Sequence, residues 1–131
     1  GAAKPRALAL TGRLADGWVA PMMVYMPPAQ VPAAQELIDA AAREAGRDPE
    51  AIRRIYIVSG EFVPEAPAPA RDTDQGIVGP PGHWVEVLTH LALDLGFSAF
   101  VLATPPDPDT LRTFIEDVAP QVRQRVAAAR G

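Results

Sequence analysis

Short apolar runs alternate along the chain with stretches whose apolar residues return every three or four positions, and the two periods predict strands and helices in turn. From Pro5 to Leu14 the apolar positions are Ala7, Leu8, Leu10 and Leu14, a short amphipathic helix with proline in its first turn and Gly12 weakening its end. Asp16-Gly17 then turns the chain into Trp18-Val19-Ala20, a strand that Pro21 ends because proline has no amide to give a sheet. Met22 to Ala29 reads as a loop. Val31 to Gly46 predicts a helix with Val31, Ala34, Ile38, Ala41 and Ala45 on one stripe, Glu36, Asp39, Arg43 and Glu44 away from it, and Gly46 as its C-cap. Asp48-Pro49-Glu50 supplies an N-cap, a first-turn proline and a first-turn acid, so a brief helical turn reaching Arg53 precedes the strand Ile55-Tyr56-Ile57-Val58.

That second strand is apolar without alternation, which predicts cover on both faces in a parallel sheet. Residues 63–82 hold Pro64, Pro67, Pro69, Pro80 and Pro81 without any period, and read as one long loop, either a solvated connector or a lid over a site. Gly82 to Gly96 predicts a helix packed through Trp84, Leu88, Leu91 and Leu95, with Val87 and Ala92 at the margins. Phe100-Val101-Leu102-Ala103 is the third strand, and Asp107 caps a last helix whose stripe is Leu111, Phe114, Ile115, Val118, Val122 and Val126. Pro120 is expected to kink or divide that helix. Three strand-loop-helix units predict an α/β fold with a parallel sheet, in a single domain over residues 1–131. Three strands leave two open edges, so self-association or membership of a larger body is expected.

Composition narrows the functional classes. The net charge of -4 has the wrong sign for phosphate backbones or anionic lipid, so neither nucleic acid nor a membrane surface is an expected partner. No apolar run approaches the roughly 20 residues of a membrane span, and no leader pattern precedes Pro5, which makes the cytoplasm the expected compartment. The absence of cysteine excludes disulfides, thiol nucleophiles and thiolate metal sites. No Ser-His-Asp order, P-loop or GxGxxG fingerprint is present. His83, Glu86, His90 and Asp94 share one helix flank, but that flank borders the polar side, and a solvated face rather than a metal site is expected. Trp18 is expected in the core, while Tyr25 and Tyr56 are open candidates for stacking on or donating to a ligand.

Five segments in order carry a resemblance: Gly1-Ala2-Ala3-Lys4-Pro5-Arg6, Gly12-Arg13-Leu14-Ala15-Asp16-Gly17-Trp18, Ala41 through Pro49, Gly96-Phe97 before a strand, and Val118-Ala119-Pro120-Gln121-Val122-Arg123. Together they resemble the C-terminal part of the luciferase-like monooxygenase family, over nearly the whole chain. The resemblance implies about half of a TIM barrel, its last three or four strand-helix units, in an oxidoreductase that uses FMN or an 8-hydroxy-5-deazaflavin coenzyme on a small organic substrate. It also implies that Gly1 and Ala2 match the loop that approaches the cofactor phosphate, with Lys4 standing where the family has a second glycine. In TIM barrels chemistry sits at the C-terminal ends of strands, which points to Pro21, Met22 and Met23, to Ser59, Gly60 and Glu61, and to Thr104. No catalytic residue is singled out. A TIM barrel needs about 250 residues, so either the remaining N-terminal half is absent by truncation, proteolysis or design, or two half barrels associate. The isolated chain is accordingly expected to be inactive, the cofactor belonging to the complete enzyme; the alternative is a non-catalytic half barrel that dimerises through its edges.

Overall fold

The computed structural model describes residues 3–64, 76–103 and 107–131. Its strands are β1 (Gly17–Ala20), β2 (Arg53–Val58), β3 (Gly60–Phe62), β4 (Ile77–Gly79) and β5 (Ala99–Leu102). Its helices are α1 (Pro5–Leu14), α2 (Val31–Glu44), α3 (Pro81–Leu95), α4 (Pro108–Thr113) and α5 (Ala119–Arg130). β1, β2 and β5 form a parallel sheet in that spatial order, with α2 and α3 as the crossovers between neighbours.

Period-two alternation sorts the sheet into two unlike faces. Trp18, Ala20, Tyr56 and Val58 are buried, and the register sets Ala20 beside Tyr56, Tyr56 beside Phe100 and Val58 beside Leu102. This face packs against Leu8, Ile38, Leu88 and Val122 from four helices in one continuous core, in which Tyr56 stacks on Phe97 at 4.5 Å and Trp18 lies 6.4 Å from the same ring. The opposite face carries Val19, Ile55, Ile57 and Val101, and Val19 and Val101 remain 39% and 48% exposed. Cover on both faces, expected from the run Ile55 to Val58, is therefore corrected: the helices lie on one face, and the apolar residues of the other have no layer over them among the described residues.

Two of the resemblance segments meet in a joint between α1 and α2. A Cβ at Gly12 would collide with the Ile38 carbonyl oxygen, so glycine is what lets the two helices approach. Arg47 then donates to the carbonyls of Gly12 and Ala15, both at 2.6 Å, satisfying acceptors at the end of α1. Arg47 is positioned by the α2 terminus, where Gly46 at φ +74° lets its own amide bond the Arg43 carbonyl and the Arg47 amide bond that of Ala42. Because α1 packs through Leu8 and Gly12, the expected contact residues Leu10 and Leu14 are 50% and 74% exposed.

Two further expectations change. Residues 65–75 of the stretch 63–82 lie outside the described residues, and its described end is not loop: β4 pairs in parallel with β3, and α3 already starts at Pro81. Strands of three residues are too short to show a period, which is why the pattern missed them. The last helix is divided ahead of Pro120 by a π-helical turn at Phe114–Val118, as a residue without an amide donor requires. Phe114, Val118, Val122 and Val126 pack on the core, whereas Leu111 and Ile115 fall beside that stripe and are 42% and 55% exposed.

Candidate functional site

The C-terminal end of the sheet is built from the turn after β1 and the excursion after β2. The Met23 amide donates to the Ile57 carbonyl at 2.9 Å, and the Met22 carbonyl accepts from the amides of Tyr25 and Met26. Met23 and Met26 are buried anchors. The Tyr56 hydroxyl, buried beneath the turn, donates to the Met26 carbonyl, and burial raises its pKa well above the ordinary tyrosine value. The turn is thus fixed from below while it presents Tyr25, 75% exposed, to solvent.

Ser59 is half-buried at the end of β2, and its carbonyl accepts from the Ile77 amide at 2.7 Å. Gly60, at φ +150°, lies so close to β4 that a Cβ would overlap the Ile77 backbone. Glycine here serves the β3–β4 pairing. The Glu61 carbonyl accepts from the Trp84 indole at 3.1 Å, and Phe62 packs on that ring at 4.6 Å, so the start of α3 is tied to the same excursion. Met22 in its turn, Ser59 between β2 and β3, and Gly60 at the start of β3 therefore stand at one end of the sheet, on segments that the core holds in place. Lys4 is exposed and precedes α1, whose N-terminus has no side-chain cap. Gly1, Ala2 and Thr104 lie outside the described residues.

Other polar features have structural work. Arg54, only 8% exposed at the opposite end of β2, donates to Ile52, Gln35, Asp39 and Pro49, with its ion pair to Asp39 at 2.6 Å. Gln35 in turn donates to the Leu95 carbonyl, so one arginine joins β2, α2 and the end of α3. Pattern reading passed over it; the signal was Arg53-Arg54 at the head of an apolar strand, where period two must turn one of them toward the helices. A concavity of about 1070 Å³ lies beside it, away from the strand C-termini. His90 and Asp94 contact each other on an exposed flank, and among the described residues no group of three could hold a metal ion. Nor is any helix there long and apolar enough to cross a membrane.

No family model matches the sequence, and no curated protein matches it. Solved structures do match in fold. The coenzyme F420-dependent tetrahydromethanopterin reductase from Methanopyrus kandleri superposes with a TM-score of 0.73 and 16% identity, over 92% of this chain and 49% of its own. A riboflavin lyase with modified FMN and riboflavin gives a TM-score of 0.69 and 16% identity, over 92% of this chain and 41% of that one. An F420-dependent secondary alcohol dehydrogenase gives 0.62 and 17%, over 91% and 46%. These neighbours are TIM-barrel proteins of the luciferase-like group, and this chain has about half of such a barrel. It spans less than half the length of each.

Proposed function

We propose that the chain is the C-terminal part of a flavin- or deazaflavin-dependent oxidoreductase of the luciferase-like family, acting on a small organic substrate in the cytoplasm. The observation that carries this reading is the sheet with helices on one face and bare apolar residues on the other, in a chain that matches less than half of each barrel enzyme it resembles. A wall of a barrel has that asymmetry, because its inner face packs only against the other strands.

The uncapped start of α1 beside the exposed Lys4 supports a phosphorylated isoalloxazine or deazaflavin as the ligand. In this reading Lys4 and the uncapped first turn of α1, together with Gly1 and Ala2, hold the cofactor phosphate, since free amides and an ammonium both suit an oxyanion. Met22, Ser59, Gly60 and Thr104 border the ring and the substrate. When bound, the cofactor supplies the redox chemistry, and this chain's residues bind it, orient it and keep water from it. Alone, the chain lacks half of the barrel mouth and is expected to show no turnover. A second reading, a non-catalytic half barrel that dimerises through its edges, draws on β1 and β5, each paired on one side only among the described residues.

Titration of the intact gene product with FMN, riboflavin and the deazaflavin coenzyme separates these. Micromolar binding, with Lys4→Ala weakening FMN about tenfold but leaving riboflavin unchanged, is expected, since the lost contact is to phosphate alone. A monodisperse dimer without flavin affinity favours the second reading.

A further inference from the structure

The loop that follows β1 differs in chemistry from the rest of the chain. No residue from Gly17 to Gln35 is charged, the longest such run in a sequence of which 21% is charged. Burial accounts for part of it, since Trp18, Ala20, Met23 and Met26 lie in the core. It does not account for Val24 and Tyr25, which stand exposed at the apex of the turn. Exposed turn positions usually hold small polar or charged residues. Every other aromatic side chain is buried or packs against the core, so Tyr25 is the one ring that the described residues leave to solvent.

This display is rigid. Pro21, Pro27 and Pro28 fix the backbone on both sides of the apex. The amides of Tyr25 and Met26 donate to the Met22 carbonyl at 2.8 and 3.0 Å, and the Tyr56 hydroxyl holds the Met26 carbonyl from below. A ligand that meets a surface already ordered loses little freedom in binding it, and a ring laid on a tyrosine gains both apolar contact and stacking. Charge works against the other ligand classes. An anion finds no cation on this loop, and the exposed Glu61 at the same end of the sheet repels it. A cation finds no carboxylate on the loop, and its attraction to one solvated ring is weak beside the hydration it gives up against Val24.

We propose that the Val24–Tyr25 apex is the specificity surface of the substrate site and that the substrate it selects is a neutral aromatic compound, its ring laid on Tyr25. This rests on the oxidoreductase reading and names the substrate class for it. Tyr25 decides which molecule is held at the strand ends, and the cofactor's chemistry does not pass through it.

Benzyl alcohol, benzoate and benzylammonium carry one ring and three charges, and their binding to the 131-residue chain can be followed through the NMR signals of Tyr25 and Val24. Benzyl alcohol should shift both signals and bind about tenfold more tightly than either ion. Tyr25→Ala should weaken it about fivefold, while Tyr25→Phe should bind as the wild type does. Unchanged α2 amide signals would show that the variants remain folded, and Val101→Glu, which alters the open sheet face, should leave the response of the loop as it was. Equal or tighter binding of an ion, a response indifferent to Tyr25→Ala, or no response at the loop overturns the proposal. Failure to bind FMN or the deazaflavin with this preference intact counts against the cofactor reading alone, and flavin binding without the preference counts against the specificity surface alone.

Discussion

Tyr56 links the core to the site more directly than any other residue. Its ring stacks on Phe97 in the core, and its hydroxyl holds the Met22–Met26 turn through the Met26 carbonyl. Burial raises its pKa, so above the ordinary value of 10.0 the unfolded chain ionises this phenol while the folded chain keeps it protonated. The stability it gives is present below that pH and is lost as pH rises from it through the higher folded value. Between them the folding free energy should fall by about 1.4 kcal/mol per pH unit beyond the common background. Urea unfolding of wild type and Tyr56→Phe from pH 8 to about 11 checks this; an equal slope in both proteins would refute it. That a tyrosine inside an apolar strand bonds a turn thirty residues earlier was not readable from pattern, because the hydroxyl's partner is a main-chain carbonyl and main-chain carbonyls have no sequence signature. Trp18 was legible as core, since a large aromatic in a four-residue strand has few other places to go.

Elements were most legible where their ends are chemically marked. Gly46, Asp48, Gly96 and Asp107 all occupy the terminal positions that their side chains, or lack of them, dictate. β3 and β4 carried no such mark, and Leu10 and Leu14 misled because the close approach at Gly12 moves the helix contact to one side. The cap at Asp107 yields a prediction about the last helical segment. The Thr110 hydroxyl and amide both donate to its carboxylate at 2.7 Å, and these bonds hold its pKa below the ordinary 3.8. A lowered folded-state value means stabilisation that is complete above the ordinary value and is lost as pH falls through the lower one. Protection factors of the Thr110 and Leu111 amides should therefore fall below about pH 4 and should be low at all pH in Asp107→Ala, with protection of α2 unaltered. Unchanged protection in the variant would show that packing of Phe114 and Val118 alone orders α4.

For the whole molecule the decisive asymmetry is between the two faces of one sheet. Alternation told which residues share a face, but the run Ile55 to Val58 is apolar throughout, and a strand facing helices on one side and other strands on the other reads the same as one between two helical layers. Only the arrangement of α1, α2, α3 and α5 on a single side separates the cases. The site suffered likewise: strand ends were legible once a barrel was expected, whereas the turn held by Tyr56 and the Gly60–Ile77 contact needed the packed chain. The faces should differ in thermodynamic response. Val58 is fully buried, whereas Val101, on the edge strand β5, is 48% exposed. Truncating Val58 to Ala removes buried apolar surface and leaves a small cavity, costing about 2 kcal/mol. Val101→Glu puts a charge where water already reaches, and in the 131-residue chain should change stability by less than about 0.5 kcal/mol. It should also reduce binding of an apolar dye to the folded chain, since Val101 is part of the open patch. Denaturant unfolding of both variants at micromolar protein makes the comparison. If Val101→Glu costs as much as Val58→Ala and its effect grows with concentration, a second copy covers the inner face in solution, and the half-barrel reading replaces the enzyme reading.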